Sequence, residues 1–122
     1  MTTLLKSILI IDDEIEANDL IRTFLERRGY TVYGASDGQS GIDAIKTKKP
    51  DLVFLDIKMP GMDGIDVLLK LKEENISAKI IVVTGLSEGE QIEKAKTLGI
   101  LGVLKKPLQM SALIELIKQN IG

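Results

Sequence analysis

Short aliphatic, β-branched runs alternate along this chain with longer segments whose apolar residues recur every three to four positions. That alternation constrains the fold more than any other feature, because strands separated by helices are the mark of βα units stacked on a parallel sheet. The strand candidates are Ile8 to Ile11, Thr31 to Gly34, Leu52 to Leu55, Lys79 to Val83 and Gly102 to Leu104. Several are apolar throughout rather than alternating, as expected where helices cover both faces of a sheet. Five helices fit between and after them. In the first, Ala17, Ile21, Phe24, Leu25 and Arg28 follow i, i+4, i+7, i+8 and i+11, and Gly29 stands where a cap is needed. In the last, Met110, Leu113, Ile114, Ile117 and Ile121 form the stripe, with Ser111 near the start and Lys118 near the end to suit the dipole. Gln39 to Thr47, Asp63 to Glu74 and Glu88 to Leu98 complete the set. No linker interrupts the pattern, and 122 residues match a typical domain of about 100–150. The expectation is one α/β domain over residues 1–122, a five-stranded parallel sheet with helices on both faces.

Composition removes whole classes of chemistry. The chain has no cysteine, hence no disulfide, thiolate metal site or thiol nucleophile. It has no histidine either, which removes imidazole acid–base catalysis and the commonest transition-metal ligand. Carboxylates, lysines, hydroxyls and the backbone are what remains. A net charge of −2 with both signs interspersed leaves no electrostatic footprint for a phosphate backbone and argues against direct nucleic-acid binding. The apolar runs fall far short of the roughly 20 residues that span a bilayer. The leader Met1 to Lys6 and Ser7 to Ile11 run straight into Asp12-Asp13-Glu14, without the small-residue cleavage site of a signal peptide. No membrane contact and a cytoplasmic location are expected.

Ligands of open α/β sheets bind outside the carboxyl ends of the strands. Those ends carry Asp12-Asp13-Glu14 after the first strand, Asp56 after the third, Thr84-Gly85 after the fourth and Lys106-Pro107 after the fifth. A lone aspartate there is usually a turn residue or a helix cap. Asp63 and Glu14 fit that structural role, as cap and first-turn charge. Three further aspartates on one edge are different, because carboxylates so close raise one another's pKa. A divalent cation relieves that cost, and all-oxygen ligation points to Mg²⁺ or its relative Mn²⁺. A lysine and a threonine hydroxyl opposite the metal make a phosphoryl site, where each group neutralises part of the charge on the transferring oxygens. The plausible nucleophile is then a carboxylate.

At these residues the chain resembles the receiver domains of two-component response regulators, and the resemblance runs end to end. Its motifs are Ile10-Ile11-Asp12-Asp13-Glu14, Asp56-Ile57-Lys58-Met59-Pro60-Gly61-Met62-Asp63-Gly64, Val82-Val83-Thr84-Gly85 and Lys105-Lys106-Pro107. The strand order 2-1-3-4-5 of a flavodoxin-like, doubly wound fold comes from the resemblance, being the order of the family's chemotaxis member. So do the roles. The resemblance implies that Asp56 accepts a phosphoryl group from a phosphohistidine, that Asp13, Asp56 and the backbone carbonyl of Lys58 bind Mg²⁺, and that Asp12 acts mainly through metal-bound water. It implies that Thr84 and Lys106 contact the phosphoryl oxygens, with the backbone at Lys58 and Gly85 beside them. It also implies a cis Lys106–Pro107 bond. Such a protein is no enzyme on other substrates; it is a switch that catalyses its own charging and aspartyl-phosphate hydrolysis. Since the chain lacks histidine, the donor belongs to a partner, a histidine kinase or a histidine phosphotransfer protein, and an effector protein or domain reads the result.

The sequence departs from the family pattern at the switch. The position three residues before the lysine, usually Tyr or Phe, is Val103; Leu108 follows Pro107, and Gly85 replaces the usual alanine. Thr84 must act with a smaller aliphatic response around Val103, or through another face such as the first helix, or the domain serves as a phosphate relay. Lys58 and Leu86, two beyond the acceptor and two beyond the threonine, shield the phosphoryl group in this reading and predict slow self-dephosphorylation.

Competing readings fare worse. A haloacid-dehalogenase-type phosphatase needs Asp-x-Asp, where this chain has Asp56-Ile57-Lys58. A flavin carrier needs a hydroxyl- and glycine-rich phosphate loop where Asp12-Asp13-Glu14 stands. A P-loop needs Gly-Lys-Ser/Thr, which does not occur. A pseudo-receiver kept for docking alone would be expected to lack one or more charged site positions, and all are filled here. The chain stops after its last helix, which suits a free-standing regulator and a receiver cut from a longer protein equally. A phosphorylation-dependent homodimer through the fourth and fifth helices is the remaining expectation.

Overall fold

A computed structural model describes residues 6–85 and 89–121. Its elements follow the order β1 (Ser7–Ile11), α1 (Ile15–Arg27), β2 (Thr31–Ala35), α2 (Gly38–Lys48), β3 (Leu52–Asp56), α3 (Gly64–Glu73), β4 (Ile80–Thr84), α4 (Gly89–Thr97), β5 (Gly102–Lys105) and α5 (Met110–Ile121). The five strands are all parallel and ordered β2-β1-β3-β4-β5. β1 and β3 are central and β5 is a short edge. Each expected strand and helix forms, with boundaries shifted by a residue or two.

Period-two alternation in the strands divides the core into two layers. Ile8, Ile10, Leu52, Phe54, Ile81 and Val83 face α1 and α5, where Ile21, Leu25, Leu113 and Ile117 meet them. Leu9, Ile11, Val53, Leu55 and Val82 face the other way, onto Ile42, Ile45, Ile65, Leu68 and Ala95 of α2, α3 and α4. β3 and β4 are buried along their whole length, which is why they read as unbroken apolar runs.

Local chemistry sets the ends. Gly29 follows α1 at φ +94°, and its amide donates to the Glu26 carbonyl, as the cap expectation requires. Asp63 caps α3 in a reciprocal box: its Oδ1 accepts from the Asp66 amide at 2.9 Å, and Asp66 Oδ2 accepts from the Asp63 amide at 3.1 Å. Asp37 caps α2 in one direction only, its carboxylate accepting from the Ser40 amide at 2.8 Å. Glu14 is a correction. It occupies the N-cap position of α1 but makes no side-chain cap bond there, and the first-turn charge is Glu16.

Two glycines let helices approach unusually closely. A Cβ at Gly41 of α2 would lie 2.5 Å from Ile11 Cδ1, so α2 lies directly on β1. A Cβ at Gly64 of α3 would lie 2.7 Å from both the Asp56 carbonyl oxygen and Ile57 Cα.

Candidate functional site

Every strand of this sheet points its carboxyl end the same way, so residues far apart in sequence meet at one edge. β1 delivers Asp12 and Asp13, β3 ends on Asp56, β4 ends on Thr84, and the turn after β5 holds Lys106. Oxygens of Asp12, Asp13 and Asp56 lie within 4.8 Å of one another. Asp12, Asp56 and Thr84 are buried, at 5%, 3% and 0% exposure, although two carry charge.

Lys106 holds these carboxylates together. Its Nζ donates to Asp56 Oδ2 at 2.9 Å and lies 4.0 Å from Asp12 Oδ2 and 3.7 Å from Glu14 Oε1. Burial disfavours the ammonium, yet the Asp56 hydrogen bond and the surrounding carboxylates outweigh it and raise the Lys106 pKa above its ordinary value. The Lys106 amide donates to the Thr84 carbonyl at 2.8 Å, and the Lys106–Pro107 bond is cis.

The opposite happens at Asp12. Its pKa is raised from 3.8 to about 6, chiefly by burial and in lesser part by the Asp56 carboxylate, which together outweigh the downward pull of the Glu14 amide and the Lys106 ammonium. Asp12 Oδ1 accepts from that amide at 2.9 Å. A carboxylate made reluctant to ionise by burial and a like neighbour is what a divalent cation relieves. The donor set, three carboxylates with no nitrogen or sulfur, suits Mg²⁺ or Mn²⁺.

The β3–α3 loop closes the site from the side. The Lys58 amide donates to Asp56 Oδ1 at 3.3 Å, so both oxygens of that carboxylate are engaged, while the Lys58 side chain is exposed. Ile57 is fully buried, its amide bonded to the Val83 carbonyl and its carbonyl accepting from the Gly64 amide at 2.8 Å. The Thr84 hydroxyl donates to the Gly85 carbonyl at 3.2 Å.

The structure thus brings together Asp12, Asp13, Asp56, Lys58, Thr84, Gly85 and Lys106. Asp63 stands apart as the α3 cap, in keeping with its structural assignment. Glu14 does not stand apart: its carboxylate faces the Lys106 ammonium, a relation between residues 92 positions apart that the motif Asp-Asp-Glu does not signal. Asn18 also escaped the sequence pattern. It is buried on α1, with its amide nitrogen 3.5 Å from the Ile10 carbonyl and its oxygen where a Gly34 side chain would go. Val103 is half-buried opposite Val82 in the β4–β5 register. The aromatic residues lie on α1, on β2 and the turn before it, and on β3, with none on β5. Leu86 lies outside the described residues.

Comparison with known proteins agrees with this geometry. The family model described as response regulator receiver domain matches residues 8–118. Sporulation initiation phosphotransferase F of Bacillus subtilis is 32% identical over 95% of this chain and 94% of its own length. Transcriptional regulatory protein PdtaR of Mycobacterium tuberculosis is 36% identical over 96% of the chain, which spans 57% of that protein. A crystal structure of a CheY-like receiver domain from Methanospirillum hungatei superposes with a TM-score of 0.88 at 33% identity, over 95% of this chain and 93% of the other. A receiver domain from Clostridium thermocellum gives 0.88 at 30% identity, over 96% and 94%. Among the described residues no helix is long and apolar enough to cross a membrane. With the strand order and the motif residues in place, this chain belongs to the response regulator receiver domain family of two-component signalling.

Proposed function

We propose that Asp56 is the phosphoacceptor, charged by a phosphohistidine on a partner kinase or phosphotransfer protein in an Mg²⁺-dependent reaction. The observation that carries this reading is the Lys106 ammonium 2.9 Å from Asp56 Oδ2, with Asp12 and Asp13 within reach of the same carboxylate. An oxygen of Asp56 attacks phosphorus, the P–N bond to the donor imidazole breaks, and its electron pair returns to the ring nitrogen. Asp13, Asp56 and the backbone carbonyl of Lys58 would hold the Mg²⁺, with Asp12 acting through its water. Bound there, the ion neutralises charge on the acceptor and on the transferring oxygens.

The remaining steps belong to this chain's own groups. Lys106 turns from the carboxylate to the phosphoryl oxygens. Thr84 gives up its bond to the Gly85 carbonyl and donates to the phosphoryl group, with the Lys58 and Gly85 backbone amides beside it. Water attack at phosphorus returns Asp56 to its free state, and the long Lys58 side chain at the mouth slows that attack. With Val103 on β5, the movement of Thr84 is transmitted by aliphatic packing or through α1 rather than by an aromatic rotamer. The chain, as one domain over residues 1–122, thereby switches a surface read by an effector, with dimerisation through α4 and α5 as one readout.

The test is intact mass after incubation with acetyl phosphate, with and without Mg²⁺, on wild type and Asp56→Asn. A gain of one phosphoryl group that needs both Mg²⁺ and Asp56 supports the reading. No adduct and no Mg²⁺ binding would instead favour a pseudo-receiver that only docks.

A further inference from the structure

Gly64, the first residue of α3, leaves no room for a side chain beside the acceptor strand. A Cβ there would stand 2.7 Å from the Asp56 carbonyl oxygen, 2.7 Å from Ile57 Cα and 3.3 Å from the Asp56 carbonyl carbon. All three atoms are backbone, so no side chain can swing aside to make room. Ile57 is held on both of its backbone sides as well. Ile57 is fully buried, its amide is bonded to Val83 of β4, and its carbonyl is bonded to the Gly64 amide itself. The excursion from Lys58 to Asp63 is thus pinched shut at its base by Ile57 and Gly64. Lys58 is the first residue beyond that pinch, one peptide from the contact.

We propose that Gly64 is a positioning residue for the cation and phosphoryl site: its missing side chain lets α3 seat against the Asp56–Ile57 peptide and so aims the Lys58 carbonyl and amide at the acceptor. The inference rests on the receiver reading above. Adding one methyl group would lift α3 or push the Asp56–Ile57 peptide, and either displaces Lys58. A shift of several tenths of an ångström matters there because Mg²⁺ demands near-ideal octahedral geometry at short metal–oxygen distances. The other glycines that start helices differ: a Cβ at Gly89 of α4 meets nothing within 4 Å, and one at Gly38 of α2 meets only the flexible Met62 side chain, from 2.8 Å.

The experiment compares wild type with Gly64→Ala, Gly89→Ala and Leu71→Ala. Leu71 is a buried residue on the same helix, remote from the carboxylates, and reports lost stability alone. Mg²⁺ is titrated while amide chemical shifts are followed, and melting temperature and acetyl-phosphate labelling are recorded on the same samples. Gly64→Ala is expected to raise the Mg²⁺ dissociation constant at least about tenfold and to lose labelling at subsaturating Mg²⁺. Leu71→Ala is expected to melt earlier with an unchanged constant, and Gly89→Ala to match wild type. A Gly64→Ala constant equal to wild type, with wild type itself binding and labelling, overturns the inference alone. A wild type that neither binds Mg²⁺ nor takes a phosphoryl group overturns the receiver reading and the inference with it. Should Gly64→Ala not fold, hydrogen exchange of the wild-type Gly64 amide decides. Mg²⁺ is expected to slow it more than it slows the Val67 amide one turn on, and equal slowing overturns the proposal.

Discussion

Lys106 Nζ lies 2.9 Å from Asp56 Oδ2, so the cation assigned to the phosphoryl group already rests on the carboxylate that would receive it. The two residues are 50 positions apart, one at the end of the buried β3 strand and the other in the turn after the β5 edge. The pair does structural work as well, since two buried carboxylates crowd the same point.

Removing the ammonium while keeping the stem, as in Lys106→Met, leaves Asp12 and Asp56 without their counter-charge. Lys106 is itself 30% exposed, so the loss is smaller than for a fully buried pair, about 1–3 kcal/mol at neutral pH. Urea unfolding without Mg²⁺ measures it, and excess Mg²⁺ should restore most of it. A variant as stable as wild type in metal-free buffer would contradict this account.

The Asp12 pKa has a definite sign. Raised from 3.8 to about 6 in the folded chain, it makes Asp12 contribute stability that is complete below 3.8 and lost as pH rises through about 6. In metal-free buffer, Asp12→Asn should therefore gain on wild type between about pH 4 and pH 7, by at most about 3 kcal/mol. Paired denaturation curves across that range check the slope, and a stability difference that does not vary with pH would refute it. With Mg²⁺ in excess the ranking should reverse, because the ionised carboxylate then holds the ion.

Gly41→Ala pushes a methyl into Ile11, which is fully buried and has nowhere to swing. Overpacking of this kind costs about 1–3 kcal/mol. Gly89→Ala at the open start of α4 should be neutral or slightly stabilising. Thermal unfolding of the two variants side by side tests the contrast, which disappears if α2 can move away from β1 freely.

Asp63→Ala removes the arm of the α3 cap that its carboxylate makes to the Asp66 amide, leaves the Asp66 carboxylate on the amide of residue 63, and should cost about 1 kcal/mol. The melting temperature should drop by several degrees. Asp63→Asn should recover most of that, because an amide oxygen still accepts from the Asp66 amide.

Much of this was legible in the sequence because it is local. Unbroken short apolar runs and 3.6-residue stripes are both local signals, so Ile8 to Ile11, Leu52 to Leu55 and the α5 stripe could be read directly. The order of the strands was not local, and it came with the resemblance carried by the Asp56 to Gly64 run. Glu14 shows where local reading stops. Beside a helix start it reads as a first-turn charge, and only the arrival of Lys106 from the far edge of the sheet gives its carboxylate a partner. Gly41 and Gly64 show the same limit in the backbone. A glycine inside a helix reads as a weak helix former, and the atom that makes it necessary belongs to another strand.

Because the site is gathered from four strand ends, no short stretch of this chain contains it. Asp56 is made early in synthesis, yet its counter-ion comes 50 residues later, after the last strand. A growing polypeptide, or a fragment left by a protease that removes the β5 edge, has Asp56 without the ammonium that rests on it. Under the proposed reading, competence to be charged would therefore require the complete sheet, because the acceptor and its counter-charge meet only there.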